Sequence, residues 1–261
     1  MANERICGNC NAVVPEGHHF CGKCGARYVG GEGEEIEDDT LYYGALQAPG
    51  RAKLILINGE GLEGLSYHLN AAEHIAGREE GAVLFPDDEY LDGVHATFLY
   101  RENQLFLEDN DSRNGTFLRT REPTTVVDGG ELMVGEQRLR IELLEIQSEY
   151  PMQNDTLMYV SPPKEYKFRV VHVLEGGRDG DAYCSVNNDI LIGSEGCDIN
   201  FPDDDYVSPR HCRLTWSEDK VMVADQDSKN GTFVRITDEE KLQHSDYVMF
   251  GNELVRVEVN E

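Results

Sequence analysis

The sequence is poor in basic residues and has no long apolar run. Only 23 of its 261 residues are Lys or Arg, against 50 Asp or Glu, which gives a formal net charge of −27. Such a chain repels phosphate backbones and anionic lipid, so we do not expect nucleic acid or a membrane surface as its main partner. No apolar run approaches the roughly 18 residues of a membrane span, and the N-terminal MANERICGNC lacks the apolar core of a signal peptide. These absences predict a cytoplasmic protein.

The sequence also lacks the signatures of common catalytic sites. It has no phosphate-cradling glycine loop ahead of a helix, no nucleophile elbow and no kinase signature. Several carboxylates fall in loop-like stretches, where solvation explains them, although spacing alone leaves open a pair that acts as general acid and base. These carboxylates are Glu79, Glu80, Asp87, Asp88, Asp203, Asp204 and Asp205. We therefore predict a protein that is not an enzyme, with catalysis as a minor alternative.

The chain contains a long internal repeat. Residues 92–117 read DGVHATFLYRENQLFLEDNDSRNGTF, and residues 208–233 read SPRHCRLTWSEDKVMVADQDSKNGTF. His211 minus His95 gives 116, and the same spacing separates Gly77 from Gly193, so the two copies are in register. A period this long, with apolar alternation inside each copy, indicates two domains in tandem rather than a solenoid.

Each repeat has the pattern of an all-β fold. Its apolar runs are short, rich in β-branched and aromatic residues, and separated by Gly, Asp or Asn, which is typical of a β-sandwich. In the second repeat, S-P-R-H precedes two such runs and D-S-K-N-G-T follows them. Because two antiparallel strands return the chain to its starting edge, we expect both polar loops at the same end of one sheet. Asn230 and Gly231 supply the positive φ that this turn needs.

The S-x-R-H and D-x-D-S-K-N-G-T-F motifs, at this distance, resemble the forkhead-associated (FHA) domain, a β-sandwich that binds phosphothreonine peptides through its end loops. The resemblance implies a mainly β protein with two FHA-like β-sandwiches in tandem. It also implies a non-enzymatic adaptor in Ser/Thr kinase signalling whose partners are phosphorylated proteins or peptides. A scaffold whose degenerate FHA domains dock partners without phosphate remains the open alternative.

The resemblance also implies which residues of the two repeats contact a phosphopeptide. In the family, the Arg of a G-R motif and the Ser of S-x-x-H contact the phosphate, the Asn of N-G-T holds the peptide backbone, and the His braces the loop. The first repeat has Asp92 in place of that Ser, and the second has Ser194 in place of the G-R arginine, so each copy holds part of a site. The candidate phosphopeptide-binding residues are Arg78, Arg113, Asn114, Ser208, Arg210, Lys229 and Asn230.

Four cysteines near the N-terminus have the spacing of a zinc ribbon. Two C-x2-C pairs separated by ten residues supply four thiolates, which suit tetrahedral Zn(II), and a segment of roughly 30 residues buries too little apolar surface to fold without the metal. The segment resembles the short zinc ribbons at the start of many bacterial regulatory proteins. Its basic residues, Arg5, Lys23 and Arg27, leave open a regulatory protein whose ribbon contacts nucleic acid. The predicted ligands of one structural Zn(II) are Cys7, Cys10, Cys21 and Cys24.

The sequence D-T-L-x-Y occurs ahead of each sandwich, around Thr40 and Thr156. Acidic neighbours make both threonines candidate phosphoacceptors that an FHA-like repeat could bind in cis or in trans, and a plain edge strand is the alternative.

These observations divide the chain into five segments. The segments are a zinc ribbon at 1–30, an acidic linker with the start of the first repeat at 31–50, a first FHA-like β-sandwich at 51–145, a Pro-containing linker at 146–165 and a second FHA-like β-sandwich at 166–261.

We expect protein purified without chelator to contain one Zn(II) per chain, as measured by elemental analysis. Cys10→Ser should release the metal and unfold only the ribbon, because the two repeats have cores of their own. Metal-free protein, or a ribbon that stays folded after Cys10→Ser, would contradict the zinc assignment.

Overall fold

The structure, a computed structural model, describes most of the two repeats. The chain divides into two compact units, Met1–Gln47 and Ala48–Glu261. In the first unit, Ile6 and Val13 form an isolated antiparallel bridge that flanks the first cysteine pair in sequence. The four predicted zinc ligands, the acidic linker and Thr40 lie outside the described residues. The described residues are 52–144, 164–184 and 186–259, with Ile6, Val13, Met152, Gln153, Thr156 and Leu157.

The second unit is built from strands, which confirms the prediction of a mainly β protein. Its described residues form only two short 3-10 turns, Gly59–Gly61 and Glu175–Gly177, and no helix that could cross a membrane. The strands of the first repeat are β1 Ala52–Asn58, β2 Leu62–Leu69, β3 Glu73–Gly77, β4 Val83–Leu84, β5 Ala96–Arg101, β6 Gln104–Asp109, β7 Thr116–Arg119, β8 Thr124–Val126, β9 Glu131–Val134 and β10 Gln137–Leu143.

The linker and the second repeat continue the same pattern. The linker forms a hairpin, β11 Met152–Gln153 and β12 Thr156–Leu157. The strands of the second repeat are β13 Phe168–Leu174, β14 Arg178–Cys184, β15 Asp189–Gly193, β16 Ile199–Asn200, β17 Cys212–Ser217, β18 Lys220–Asp225, β19 Thr232–Arg235, β20 Glu240–Lys241, β21 Tyr247–Phe250 and β22 Glu253–Val259.

The strands of the two repeats are interleaved in one ten-stranded sheet. Its order is β2-β1-β22-β21-β7-β19-β9-β10-β13-β14, so the last strands of each repeat pair with the other repeat. Strand β1 pairs with β22, β10 pairs with β13, and β7 and β19 pair with each other at the centre. Two five-stranded sheets, β20-β6-β5-β3-β4 and β16-β15-β17-β18-β8, complete the fold. Strands β8–β10 and β20–β22 have therefore exchanged places.

The hydrophobic cores confirm this exchange. In the first sandwich, which comprises β1–β7 and β20–β22, Phe98 of the first repeat packs edge to face against Phe250 of the second, with ring centroids 6.3 Å apart. In the second sandwich, which comprises β13–β19 and β8–β10, Leu132 and Ile141 pack with Phe168 in a cluster drawn from both repeats. All five side chains are less than 2 % exposed. Burial of this extent, about 1.5–3 kcal/mol per large side chain, makes each core dependent on both repeats.

The sequence predicts one sandwich from residues 51–145 and another from 166–261, whereas each sandwich takes seven strands from one repeat and three from the other. The exchanged strands occupy equivalent places in the repeats, so either set satisfies the local apolar pattern of either sandwich. An ion pair beside one crossover joins the exposed Arg121 of the first repeat to the buried carboxylate of Asp246 in the second. The residue equivalent to Asp246 is Gly130, so only one crossover has this pair.

A disulfide test distinguishes the exchanged pairing from one sandwich per repeat. Lys53 and Glu258 are Cα partners in β1 and β22, and their side chains form an ion pair of 2.7 Å. Lys53→Cys with Glu258→Cys should therefore cross-link within one chain on oxidation, because paired antiparallel residues meet the Cα separation of a disulfide. Peptide mapping by mass spectrometry identifies the bridge among the native cysteines.

The matched control uses the equivalent residue of the first repeat. Glu142 stands in the first repeat where Glu258 stands in the second, and it pairs with Arg169 in β13 rather than with Lys53. Lys53→Cys with Glu142→Cys should not cross-link. A bridge in this control and none in the first variant would show that each repeat closes on itself.

Candidate functional site

The Asn-Gly loop is built by the same side-chain hydrogen bonds in both repeats. In the second repeat, the Asp225 carboxylate accepts from the Ser228 N–H at 2.9 Å, from the Ser228 hydroxyl at 2.6 Å and from the Thr232 hydroxyl at 2.7 Å. Asp109 makes the corresponding bonds in the first repeat. Burial tends to raise the pKa of Asp225, but the bonds from Ser228 and Thr232 outweigh it and the pKa is lowered. The charged carboxylate thus fixes the loop.

A fully buried histidine joins this loop to the one before it. The Nδ1 of His211 accepts from the Ser208 N–H at 3.1 Å, and its Nε2 lies 3.0 Å from the Gly231 carbonyl oxygen. Both bonds require the neutral ring with its proton on Nε2. Burial lowers the pKa of His211, against the opposing effect of the Gly231 carbonyl. His95 makes the same two contacts in the first repeat.

The structure brings Ser208, Lys229 and Asn230 together in the second repeat. The Ser208 hydroxyl oxygen accepts from the Lys229 N–H at 3.0 Å, so its own proton remains available for a ligand. The Asn230 amide donates to the Tyr206 carbonyl at 2.9 Å, which orients the side chain at the loop surface. The Lys229 side chain is exposed. We name Ser194, Ser208, Arg210, Lys229 and Asn230 the second loop cluster.

Ser194 lies in the loop after β15, and Arg210 lies in the loop before β17, two residues after Ser208. The Ser194 N–H donates to the Ser208 carbonyl at 3.0 Å, so the two loops lie side by side. Arg210 is exposed. Burial raises the pKa of the Cys197 thiol in the loop after β15, and the charge of Arg210 opposes this effect in part. A Cβ at Gly193 would collide with the Pro209 carbonyl, which explains the glycine before Ser194.

The first repeat has the same frame with different charges, in what we name the first loop cluster: Arg78, Asp92, Arg113 and Asn114. One carboxylate oxygen of Asp92 accepts from the Arg113 N–H at 2.6 Å, the bond that Ser208 makes in the second repeat. A carboxylate has no proton to donate to a phosphate, so Asp92 keeps the bracing role and loses the donor. The Asn114 amide donates to the Tyr90 carbonyl at 2.8 Å, and Arg78 contacts Glu79 at 3.3 Å.

Two arginines that the sequence did not single out hold these loops from the opposite repeat. Arg235 in β19 donates to the Ser112 carbonyl at 3.1 Å and packs against Gly115 of the first repeat. Arg119 in β7 packs against Gly231 of the second repeat and lies 5.3 Å from the centre of the Tyr247 ring. Arg119 and Arg235 stand at equivalent positions of the repeat, and this repetition is a sequence signal that could have identified them. Which loop each arginine contacts depends on the strand exchange.

The lowered pKa of His211 predicts that acid destabilises the loop. Below the ordinary histidine pKa of about 6.5 the unfolded chain takes up a proton that the folded chain does not, so the free energy of unfolding falls as the pH drops from 7 to 5. His211→Gln should be less stable at pH 7, by about 1–3 kcal/mol for the buried groups left unpaired, and should show a shallower pH dependence. Urea unfolding at each pH measures this.

His74, whose pKa burial also lowers, provides the control. His74→Gln should remove its own share of the pH dependence and leave that of His211. If His211→Gln and the unsubstituted protein have parallel pH profiles, His211 does not carry this effect.

Comparison with known proteins identifies both repeats. The family model of the FHA domain matches residues 74–135 and 190–251. No curated protein matches the chain. Its most similar solved structures include one from a structural and functional analysis of phosphothreonine-dependent FHA domain interactions, with 27 % identity over 33 % of this chain and 90 % of that one and a TM-score of 0.20.

Two further neighbours come from bacteria. The FHA domain of CT664 from Chlamydia trachomatis is 23 % identical over 35 % of this chain and 96 % of its own, with a TM-score of 0.21. Mycobacterium tuberculosis EmbR in complex with a low affinity phosphopeptide is 21 % identical over 34 % of this chain and 24 % of its own, also with a TM-score of 0.21. The family match carries the assignment. The chain therefore contains two FHA domains in tandem.

Proposed function

We propose that the protein is a non-enzymatic adaptor that binds phosphothreonine peptides through the second loop cluster. The arrangement of Ser208, Lys229 and Asn230 carries the proposal. The Ser208 hydroxyl, fixed by the Lys229 N–H, can donate to a phosphate oxygen, and the charges of Lys229 and Arg210 suit a group of nearly two negative charges. Asn230, held by Tyr206, can hold the peptide backbone.

The first loop cluster is the weaker phosphate site on electrostatic grounds. At about 4 Å, the Asp92 carboxylate repels a phosphate charge by about 1 kcal/mol in bulk water and about 4 kcal/mol at the lower dielectric of a protein surface. Ser194 in the second cluster only removes a donor. One missing charge-assisted hydrogen bond costs about 1.5–3 kcal/mol, which Arg210 and Lys229 offset in part.

A phosphate-independent scaffold is the second candidate, and Asp92 is the observation that favours it. Its carboxylate completes the loop frame of the first repeat without any ligand, through the bond from the Arg113 N–H. A partner could dock on this preformed loop through ordinary protein contacts. In that case phosphatase treatment would leave binding unchanged.

The N-terminal region and the linker supply further parts of the proposal. A zinc ribbon held by Cys7, Cys10, Cys21 and Cys24 would give the adaptor a separate contact surface. Its role would be structural rather than catalytic, because four thiolates fill the tetrahedral shell of Zn(II) and leave no open position. Thr156 is exposed on the linker hairpin and so is accessible to a kinase. Peptides around phosphorylated Thr40 and Thr156 are therefore the first ligands to try in trans.

Restoring the missing family residues should improve each site. Ser194→Arg should tighten phosphothreonine binding by the second loop cluster about tenfold or more, because it returns a charge-assisted donor. Asp92→Ser should tighten phosphothreonine binding by the first cluster, because it removes the repulsion and adds a donor. Isothermal titration of the full chain with phosphothreonine and threonine versions of each peptide measures both effects.

Asn230→Ala and Asn114→Ala serve as controls, since each silences one cluster and leaves the other to be measured. Tighter binding by the first cluster than by the second would reverse the assignment of the two sites. Binding that is equal for phosphorylated and unphosphorylated peptides would favour the scaffold.

A further inference from the structure

A cavity of about 690 Å³ opens beside the first loop cluster. Asn114 and Arg113 line one side, and the outward-facing residues of β9, β10, β19 and β21 line the floor. The alternate residues of these strands, such as Leu132 and Leu139, are buried in the cores, as the two-residue period of a strand requires. In a chain of net charge −27, the lining is unusually rich in arginine. Its charged residues are Arg113, Arg138, Arg140, Arg235, Glu131, Glu136 and Glu175.

The inner part of the cavity has excess positive charge. The Glu131 carboxylate, which is 8 % exposed, accepts from Arg138 Nη2 at 2.6 Å and from Arg235 Nη1 at 3.0 Å. One carboxylate thus faces two guanidinium groups. Each guanidinium has five N–H donors, so donors remain for a ligand. Arg138 also stacks 5.7 Å from the Phe117 ring centre, which fixes its plane.

The fold itself does not require this charge. The equivalents of Arg138 and Glu131 in the second repeat are Leu254 and Tyr247. Strands β21 and β22 pair there in the same antiparallel way as β9 and β10. The same sheet therefore forms with a neutral pair, and Arg138 and Glu131 are not explained by strand pairing.

Arg138 connects the cavity to the first loop cluster. Its Nη1 is 3.5 Å from Asn114 Oδ1, and Asn114 is the residue proposed to hold the peptide backbone. Peptide residues next to that contact would enter the cavity, where their side chains meet Arg138 and Arg235. We propose that the cavity binds an acidic side chain, a carboxylate or a phosphoryl group, of a peptide held at Asn114. The first repeat would then select acidic peptides, an inference that rests on the proposed peptide-binding role of its loop.

Binding of matched peptides to the full chain with Asn230→Ala, which silences the second cluster, tests the proposal. The peptides share one threonine core and carry Glu, Gln or phosphoserine in the flanking positions. We expect the Glu and phosphoserine peptides to bind about tenfold more tightly than the Gln peptide in fluorescence anisotropy, as for one desolvated charge pair. A preference for phosphoserine alone identifies a phosphoryl ligand, and equal preference identifies a general anion site.

Arg138→Leu installs the residue that the second repeat has at this position and should abolish the preference for acidic flanks. Arg138→Lys keeps the charge and should retain part of it. An unchanged preference in Arg138→Leu, or no preference before substitution, would overturn the proposal. Phosphate dependence of the core threonine, measured separately in the Asn114→Ala chain, reports on the second cluster, so failure of the phosphothreonine function is distinguishable from failure of the acidic site.

Discussion

The antiparallel pairing of β7 with β19 is the contact on which the rest of the structure depends. It joins Phe117 to Arg235 and Arg119 to Phe233 across the centre of the ten-stranded sheet. An Asn-Gly loop comes directly before each of these strands. The pairing therefore places the arginine of each repeat against the loop of the other repeat. The recognition loops and the strand exchange are therefore parts of a single arrangement, and neither repeat completes its loop surface alone.

Much of the local structure could be predicted from the sequence. Asn-Gly pairs, β-branched runs and the two histidine motifs follow from short-range chemistry that each copy repeats, and the strands and loops lie where these patterns place them. The bracing by His95 and His211 also fits the family pattern. What the sequence could not specify is which copy of β8–β10 completes which core, because both copies offer the same buried face. The Arg235–Glu131 contact and the arginine-lined cavity depend on that choice.

The two loop clusters show how one backbone frame carries different side-chain chemistry. Asp92 and Ser208 make the same bond to the following loop, yet one adds a charge and the other keeps a free hydroxyl proton. Arg138 and Leu254 differ in the same way beside the two loops. In the proposed adaptor, the second cluster recognises phosphothreonine and the first recognises acidic residues of a peptide. A single partner with both features could bind both clusters at once, and the segment that joins the two features in the partner would then raise its overall affinity.

The central claim is that partners bind because they are phosphorylated. The most direct measurement is a pull-down of partners by the full chain from a lysate of its source, with and without prior phosphatase treatment, and with Asn230→Ala as the matched bait. The account predicts that phosphatase treatment and Asn230→Ala each remove the same set of partners. Partners that Asn230→Ala removes but that stay bound after phosphatase treatment would contradict it.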